Sequence, residues 1–227
     1  MSKPLVIITG ASSGIGAGLA KLFFQNGYPL CLLARDLQAM EDLHLPNSLC
    51  IKTDVTDIHQ VRSAIEAAEK KFGPVGCLIN NAGAASMGFT DLPHEAHETM
   101  VQVNIMGVIN TIETILPGMQ ERKAGTIINI SSIADRNSRP NLPTYAATKA
   151  AVKSLSESLR MGNAKYGIRV CNVAPAKIKT PMVIRNNLTD SQIIEIDDVA
   201  KAILWIYEQP KSVCIRDLVI APTSYEP

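Results

Sequence analysis

No charge of one sign dominates this sequence. Its 22 lysines and arginines face 21 aspartates and glutamates, a formal net charge of +1. That balance argues against the basic footprint of a nucleic-acid binder and the basic face of a membrane-surface helix. No apolar run reads as long enough to span a bilayer, so no membrane partner is expected. The first apolar run, Leu5 to Ile8, stops at Thr9-Gly10, too short for a signal-peptide core. The five cysteines (Cys31, Cys50, Cys77, Cys171 and Cys214) form no C-x-x-C pair. An odd number of them, several inside apolar runs, reads as small buried hydrophobes in a reducing compartment, so a cytoplasmic location is expected. His94-x-x-His97, flanked by Glu95 and Glu98, lacks a third ligand cluster, which favours a solvated helix start over a metal site. Without repeats, low-complexity segments or linkers, residues 1–227 read as one domain.

What is present is a 46% share of hydrophobic residues, enough for a substantial core. Apolar runs of strand length alternate with longer amphipathic segments. Strands are expected over Leu5–Thr9, Leu30–Ala34, Leu49–Thr53, Val75–Asn80, Gly125–Ser131, Ile168–Val173 and Asp217–Ile220. Helices are expected over Gly14–Gln25, Ile58–Phe72, Glu95–Gln120 (with a kink near Pro117-Gly118), Tyr145–Tyr166 and Asp197–Glu208. Repeated β-α-β with continuously apolar strands implies an α/β fold: a Rossmann-like, doubly wound parallel sheet of about seven strands with helices on both faces.

The turn joining the first strand to the first helix is Thr9-Gly10-Ala11-Ser12-Ser13-Gly14-Ile15-Gly16. Its glycines permit a tight turn, let backbone approach a pyrophosphate and let the helix pack closely. The unpaired N–H groups and partial positive charge of a helix N-terminus suit the same anion. Gly10, Ser12, Ser13, Gly14, Ile15 and Gly16 are therefore candidate dinucleotide ligands, although the spacing is G-x-x-x-G-x-G rather than G-x-G-x-x-G. Strand two ends in Ala34-Arg35-Asp36. Arg35 offers charge-assisted bonds to the 2′-phosphate of NADP, so NADP(H) is favoured over NAD(H). Asp36 either pairs with Arg35 or faces the ribose. Asp54 and Val55 either flank the adenine or simply open the next helix.

Tyr145-Ala146-Ala147-Thr148-Lys149 places a phenol and an ammonium one helical turn apart on one face. A fixed cation beside a tyrosine lowers its pKa and makes it a usable acid-base group for an alcohol or carbonyl oxygen. Together with the glycine turn, Asn80-Asn81-Ala82-Gly83, Asn104 within Val103-Asn104-Ile105 and Ser132 within Ile130-Ser131-Ser132, this motif resembles the short-chain dehydrogenase/reductase family in its single-domain form, over nearly the whole chain.

The resemblance implies a nicotinamide-dependent oxidoreductase that interconverts a small-molecule carbonyl and an alcohol, with a tetrad of Asn104, Ser132, Tyr145 and Lys149. Ser132, thirteen residues before Tyr145, is preferred to Ser131 on the family's spacing. Ser132 would polarise the carbonyl oxygen, Tyr145 would donate the proton, and Lys149 would keep the tyrosine acidic and bond the nicotinamide ribose. Asn104 would hold a water leading from Lys149 to solvent, and Asn81, Ala82 and Gly83 would line the cofactor. Pro175, Ile178 and Thr180 would meet the nicotinamide, although Ala176 stands where the family usually has glycine. Met182 to Ile196 would form a short substrate lid. Arg136 and Arg139 border the pocket, touching substrate or facing water. The C-terminal strand resembles the branch holding short 3-hydroxy-acid and broad carbonyl reductases. Assembly as a homodimer or homotetramer through the two long helices is implied. The rival readings are a non-catalytic NADP(H)-binding regulator or scaffold, and an epimerase or lyase on the same fold.

Overall fold

The computed structural model describes residues 3–179 and 193–225. The strands are β1 (Leu5–Thr9), β2 (Leu30–Ala34), β3 (Ser48–Lys52), β4 (Val75–Asn80), β5 (Gly125–Ile130), β6 (Ile168–Pro175) and β7 (Asp217–Ile220). The helices are α1 (Gly14–Gln25), α2 (Leu37–Glu41), α3 (Ile58–Phe72), α4 (His94–Val101), α5 (Gly107–Arg122), α6 (Pro143–Asn163) and α7 (Ile196–Glu208). The strands form one seven-stranded parallel sheet in the order β3-β2-β1-β4-β5-β6-β7. This is the Rossmann-like doubly wound arrangement expected from the alternation of elements.

Two apolar clusters sandwich the sheet. One face packs Leu19, Ala20 and Phe23 of α1 against Val199, Ile203 and Ile206 of α7. The other packs Val61 and Ile65 of α3, Ile112 and Ile115 of α5, and Val152 of α6. Buried on both sides, β1 and β2 have no exposed residue, whereas the edge strands β3 and β7 are partly open. Chain order reverses at β1, which lies between β2 and β4. A crevice opens there at the carboxyl ends of the strands.

The long helix departs from expectation. His94–Arg122 is one continuous helical stretch of 29 residues, by length and composition apolar enough to cross a membrane. Here α5 is used as a core helix, with Val108, Ile112, Ile115 and Met119 buried against the sheet. Its irregularity is a π-helical turn at Gln102–Met106, not Pro117-Gly118, which lies within α5. The short helix α2 was not anticipated: at five residues it is too brief to show a period, and it is started by Asp36, whose carboxylate accepts from the Ala39 N–H at 3.1 Å.

Candidate active site

The glycine turn is built by contact with the segment that follows β4. The Thr9 hydroxyl oxygen accepts from the backbone N–H groups of Asn81 and Ala82, both at 3.0 Å. The Asn81 amide donates to the carbonyls of Thr9 at 3.0 Å and Gly10 at 3.1 Å. Gly10 and Gly14 take φ of 64° and 54°, conformations that glycine alone adopts at little cost. A Cβ on Gly16 would lie 2.2 Å from the Gly10 carbonyl oxygen, so only glycine lets α1 start this close to the strand. The N-cap Ser13 makes no side-chain cap bond and the first turn of α1 holds no acidic residue. Its N–H groups and dipole are thus open to an anion, and the cradle fits a dinucleotide pyrophosphate.

Beside this turn lies a cleft of about 430 Å³. Gly10, Ser12, Ser13, Gly14 and Ile15 form one side; Arg35, Asp54 and Val55 form the end nearest β2 and β3. Asn81, Ala82, Gly83, Tyr145 and Lys149 form the far end. Arg35 is exposed, and Asp36 is occupied as the N-cap of α2. Asp54 is not a helix cap. Its Oδ1 accepts from the N–H and hydroxyl of Thr56, and the cap of α3 is Asp57, which accepts from His59 and Gln60.

At the far end, α6 carries Tyr145 and Lys149 on one face. The Lys149 ammonium donates to the Ile130 carbonyl at 3.0 Å and lies 5.7 Å from the centroid of the Tyr145 ring. Lys149 is only 5% exposed, and burial pulls its pKa down to about 8 despite the opposing charge of Asp135. The Tyr145 pKa is raised, not lowered as expected from the sequence. Burial is the largest cause, the negative charge of Asp135 adds to it, and a hydrogen bond with the Ser132 side chain opposes it. One of the three Lys149 N–H donors goes to the Ile130 carbonyl, and burial of the phenol outweighs any acidifying effect of the ammonium.

Ser131 and Ser132 differ sharply. The Ser131 hydroxyl donates to Asp135 Oδ2 at 2.6 Å, with a longer contact to the Val173 carbonyl at 3.2 Å. Ser132 begins a 3₁₀ turn, Ile133–Asp135, and its oxygen accepts from the Ala134 N–H at 3.2 Å. Asn104, in the π turn, is fully buried. Its Oδ1 accepts from the Ala84 N–H at 2.7 Å, and its amide donates to the Ala84 carbonyl and the Thr148 hydroxyl, both at 2.9 Å. Both amide hydrogens are thereby used, leaving for a water only the remaining acceptor capacity of the side chain.

A family model described as short chain dehydrogenase matches residues 4–191. The chain belongs to the short-chain dehydrogenase family. An uncharacterized oxidoreductase of Staphylococcus aureus (strain USA300) is 32% identical over 98% of each chain. Among solved structures, ElxO with NADP bound is 30% identical with a TM-score of 0.87, covering 96% of this chain and 97% of that one. A 3-ketoacyl-(acyl-carrier-protein) reductase from Brucella melitensis, complexed with NADH, is 29% identical with a TM-score of 0.91 over 97% of each chain.

The remaining candidate residues of this short-chain dehydrogenase lie around the cleft rather than in its wall. Gly16 sits beneath the turn. Pro175 ends β6. The Ile178 side chain is buried in the core, and its backbone bridges Ile194 through the N–H of Lys179 and the C=O of Lys177. The peptide groups of Ile178 itself therefore face the other way. Thr180, and most of the segment read as a lid, lie outside the described residues. His97 bonds the Thr144 hydroxyl at 2.8 Å and the Phe89 carbonyl at 3.1 Å, and His94 lies 3.5 Å from Glu98. Arg136 neither touches the cleft nor merely faces water: it is held between Asp135 and Asp217. Arg139 lies over the Tyr225 ring, 5.6 Å from its centroid. Sequence reading missed the parts of the wall made by Thr53, Ala84, Thr99 and Val103. Their side chains carry no motif, and only the fold brings them together.

Proposed function

We propose that this protein is an NADP(H)-dependent oxidoreductase that interconverts a carbonyl and a primary or secondary alcohol. One juxtaposition supports this reading above the others: a single cleft runs from an open helix N-terminus and an exposed Arg35 to a phenol and an ammonium, and the Ser132 side chain is hydrogen-bonded to that phenol. The glycine turn and α1 would hold the pyrophosphate, Arg35 the 2′-phosphate, and Lys149 the ribose nearest the reactive ring. ElxO, a structure with NADP bound, is a close structural likeness, and the NADH complex of the Brucella reductase keeps NAD(H) as the second choice. When bound, the dinucleotide supplies or accepts hydride. The chain's own residues handle the oxygen. Ser132 donates to the carbonyl oxygen, where negative charge develops, and Tyr145 gives that oxygen its proton. A raised phenol pKa keeps Tyr145 protonated at neutral pH, the form a proton donor needs.

The expected substrates are small carbonyl compounds or alcohols. We place the protein in the cytoplasm; its five free cysteines, three of them buried, suit a reducing compartment. A homodimer or homotetramer is proposed through α4–α5 and α6, where Val101, Met106 and Met161 are exposed apolar side chains.

The test is NADPH oxidation against a panel of aldehydes and ketones. Tyr145→Phe is expected to lower kcat by roughly 10²- to 10⁴-fold while leaving NADPH binding intact. Tight NADPH binding without turnover on any carbonyl would instead favour the regulator reading.

A further inference from the structure

Beyond the cleft, the structure contains an ionic cluster, buried at Asp135 and open to solvent at Asp217, that the proposed reaction does not use. Asp135 has a fully buried carboxylate side chain, and it stands three residues after Ser132 in the same 3₁₀ turn. Its Oδ2 accepts from the Ser131 hydroxyl at 2.6 Å and from the Asn172 amide of β6 at 2.9 Å. Arg136 donates to it from Nε at 2.6 Å and from a terminal nitrogen at 3.1 Å. The same guanidinium grips both oxygens of Asp217 on β7, at 2.8 and 2.9 Å. Asn172 also donates to Asp217 at 2.9 Å, and its Oδ1 is buried without a partner among the described residues. An orphaned buried carbonyl is costly. Two carboxylates drawing on both amide hydrogens account for that orientation.

Such a cluster is a poor stability device, since replacing buried charges by apolar groups is often neutral or stabilising. Its position suggests another use. The Asp135 N–H closes the turn on the Ser132 carbonyl at 2.8 Å, so the carboxylate that anchors Asp135 to β6 and Arg136 also fixes where Ser132 points. The charged and titratable groups around Asp135 are Arg136 on its own turn and Tyr145 and Lys149 on α6; Asp217 on β7, held by the same Arg136, also faces Lys153 on α6 and Cys171 on β6.

We propose that Asp135 is a positioning residue of this site: its buried carboxylate sets the turn that presents Ser132 and is the fixed negative charge behind the phenol–ammonium pair. The inference rests on the oxidoreductase reading. The charge acts on both partners in one sense. It holds the proton on the Lys149 ammonium and the proton on the Tyr145 phenol, so it extends the proton-donating form to higher pH. Arg136 offsets part of that charge.

The signature is a pair of opposite shifts. In the pH profile of kcat/KM for carbonyl reduction, Asp135→Asn should move the alkaline limb down by roughly half a unit to one unit. Arg136→Gln leaves Asp135 held by Ser131 and Asn172 but less neutralised, and should move the limb up. Tyrosinate absorbance of the cofactor-free protein, with Tyr145→Phe as the reference, should show the phenol ionising at lower pH in Asp135→Asn. A purely structural clasp would lower activity in both variants and leave the limb in place. That outcome overturns the proposal, as does movement of both variants in one direction. If Asp135→Asn does not fold, an unmoved limb in Arg136→Gln is sufficient to overturn it. If the wild-type protein reduces no carbonyl, the oxidoreductase reading fails, and the absorbance titration still tests the charge separately.

Discussion

Lys149 is the residue at which burial and the proposed function conflict most. Its pKa falls from an ordinary 10.5 to about 8 because the ammonium is buried. The folded value lies below the unfolded one, so the charged form is the disfavoured form in the fold. The penalty is complete below about pH 8, fades as pH rises toward 10.5, and is absent above it. A shift of this size corresponds to about 3 kcal/mol, against which Lys149→Met would orphan the Ile130 carbonyl at a cost of about 1–3 kcal/mol. Thermal unfolding of the cofactor-free Lys149→Met variant at pH 7 should therefore show no loss, or a gain of up to about 2 kcal/mol. The stability gain from Lys149 deprotonation between pH 8 and 10.5 should vanish with it. A clear loss at pH 7 would mean the lysine's bond outweighs its burial. Arg35 is the opposite case, an exposed cation with little structural duty. Arg35→Ala should weaken NADPH binding by roughly 10- to 100-fold and spare NADH, as expected for one charge-assisted phosphate contact. Equal loss of both cofactors in fluorescence titration would remove the phosphate assignment.

At the scale of elements, the glycine turn is held by one hydroxyl and one amide. Thr9 at the end of β1 accepts two backbone N–H groups from the segment following β4, and Asn81 returns two bonds to the turn. Thr9→Val keeps the shape and removes the acceptor. It should cost about 2–6 kcal/mol in denaturant unfolding, from two orphaned donors at about 1–3 kcal/mol each, and weaken NADPH binding. A variant within 0.5 kcal/mol of wild type, on the scale of ordinary surface changes, would show that the staple carries no energy. Elements with a strong period were legible beforehand. The bounds of β1, α1, β2, α3, β4 and β7 agree with the sequence reading, because apolar runs and Gly-Pro punctuation are local signals. The π turn at Gln102–Met106 was not legible: Asn104 in that turn bonds Ala84 and Thr148, 20 and 44 residues away, and no local pattern marks such partners.

For the whole molecule, light scattering on the purified protein should give the mass of a dimer or tetramer; a monomer at micromolar concentration overturns the proposed assembly. The linear order of residues determined the alternation of strand and helix, hence the parallel sheet, and it marked the glycine turn and the Tyr145–Lys149 spacing. Periodicity and backbone freedom are properties of neighbouring residues, so a chain read alone reveals them. Folding alone decided the electrostatics. Asp135 and Asp217 are 82 residues apart yet share Arg136, and the carboxylate whose charge acts on the phenol comes from a different element than the phenol itself. Proton affinity depends on burial and on charges a few ångströms away, and those distances exist only once β6, β7 and α6 have packed. That is why the sequence suggested an acidified tyrosine, while the folded protein raises its pKa.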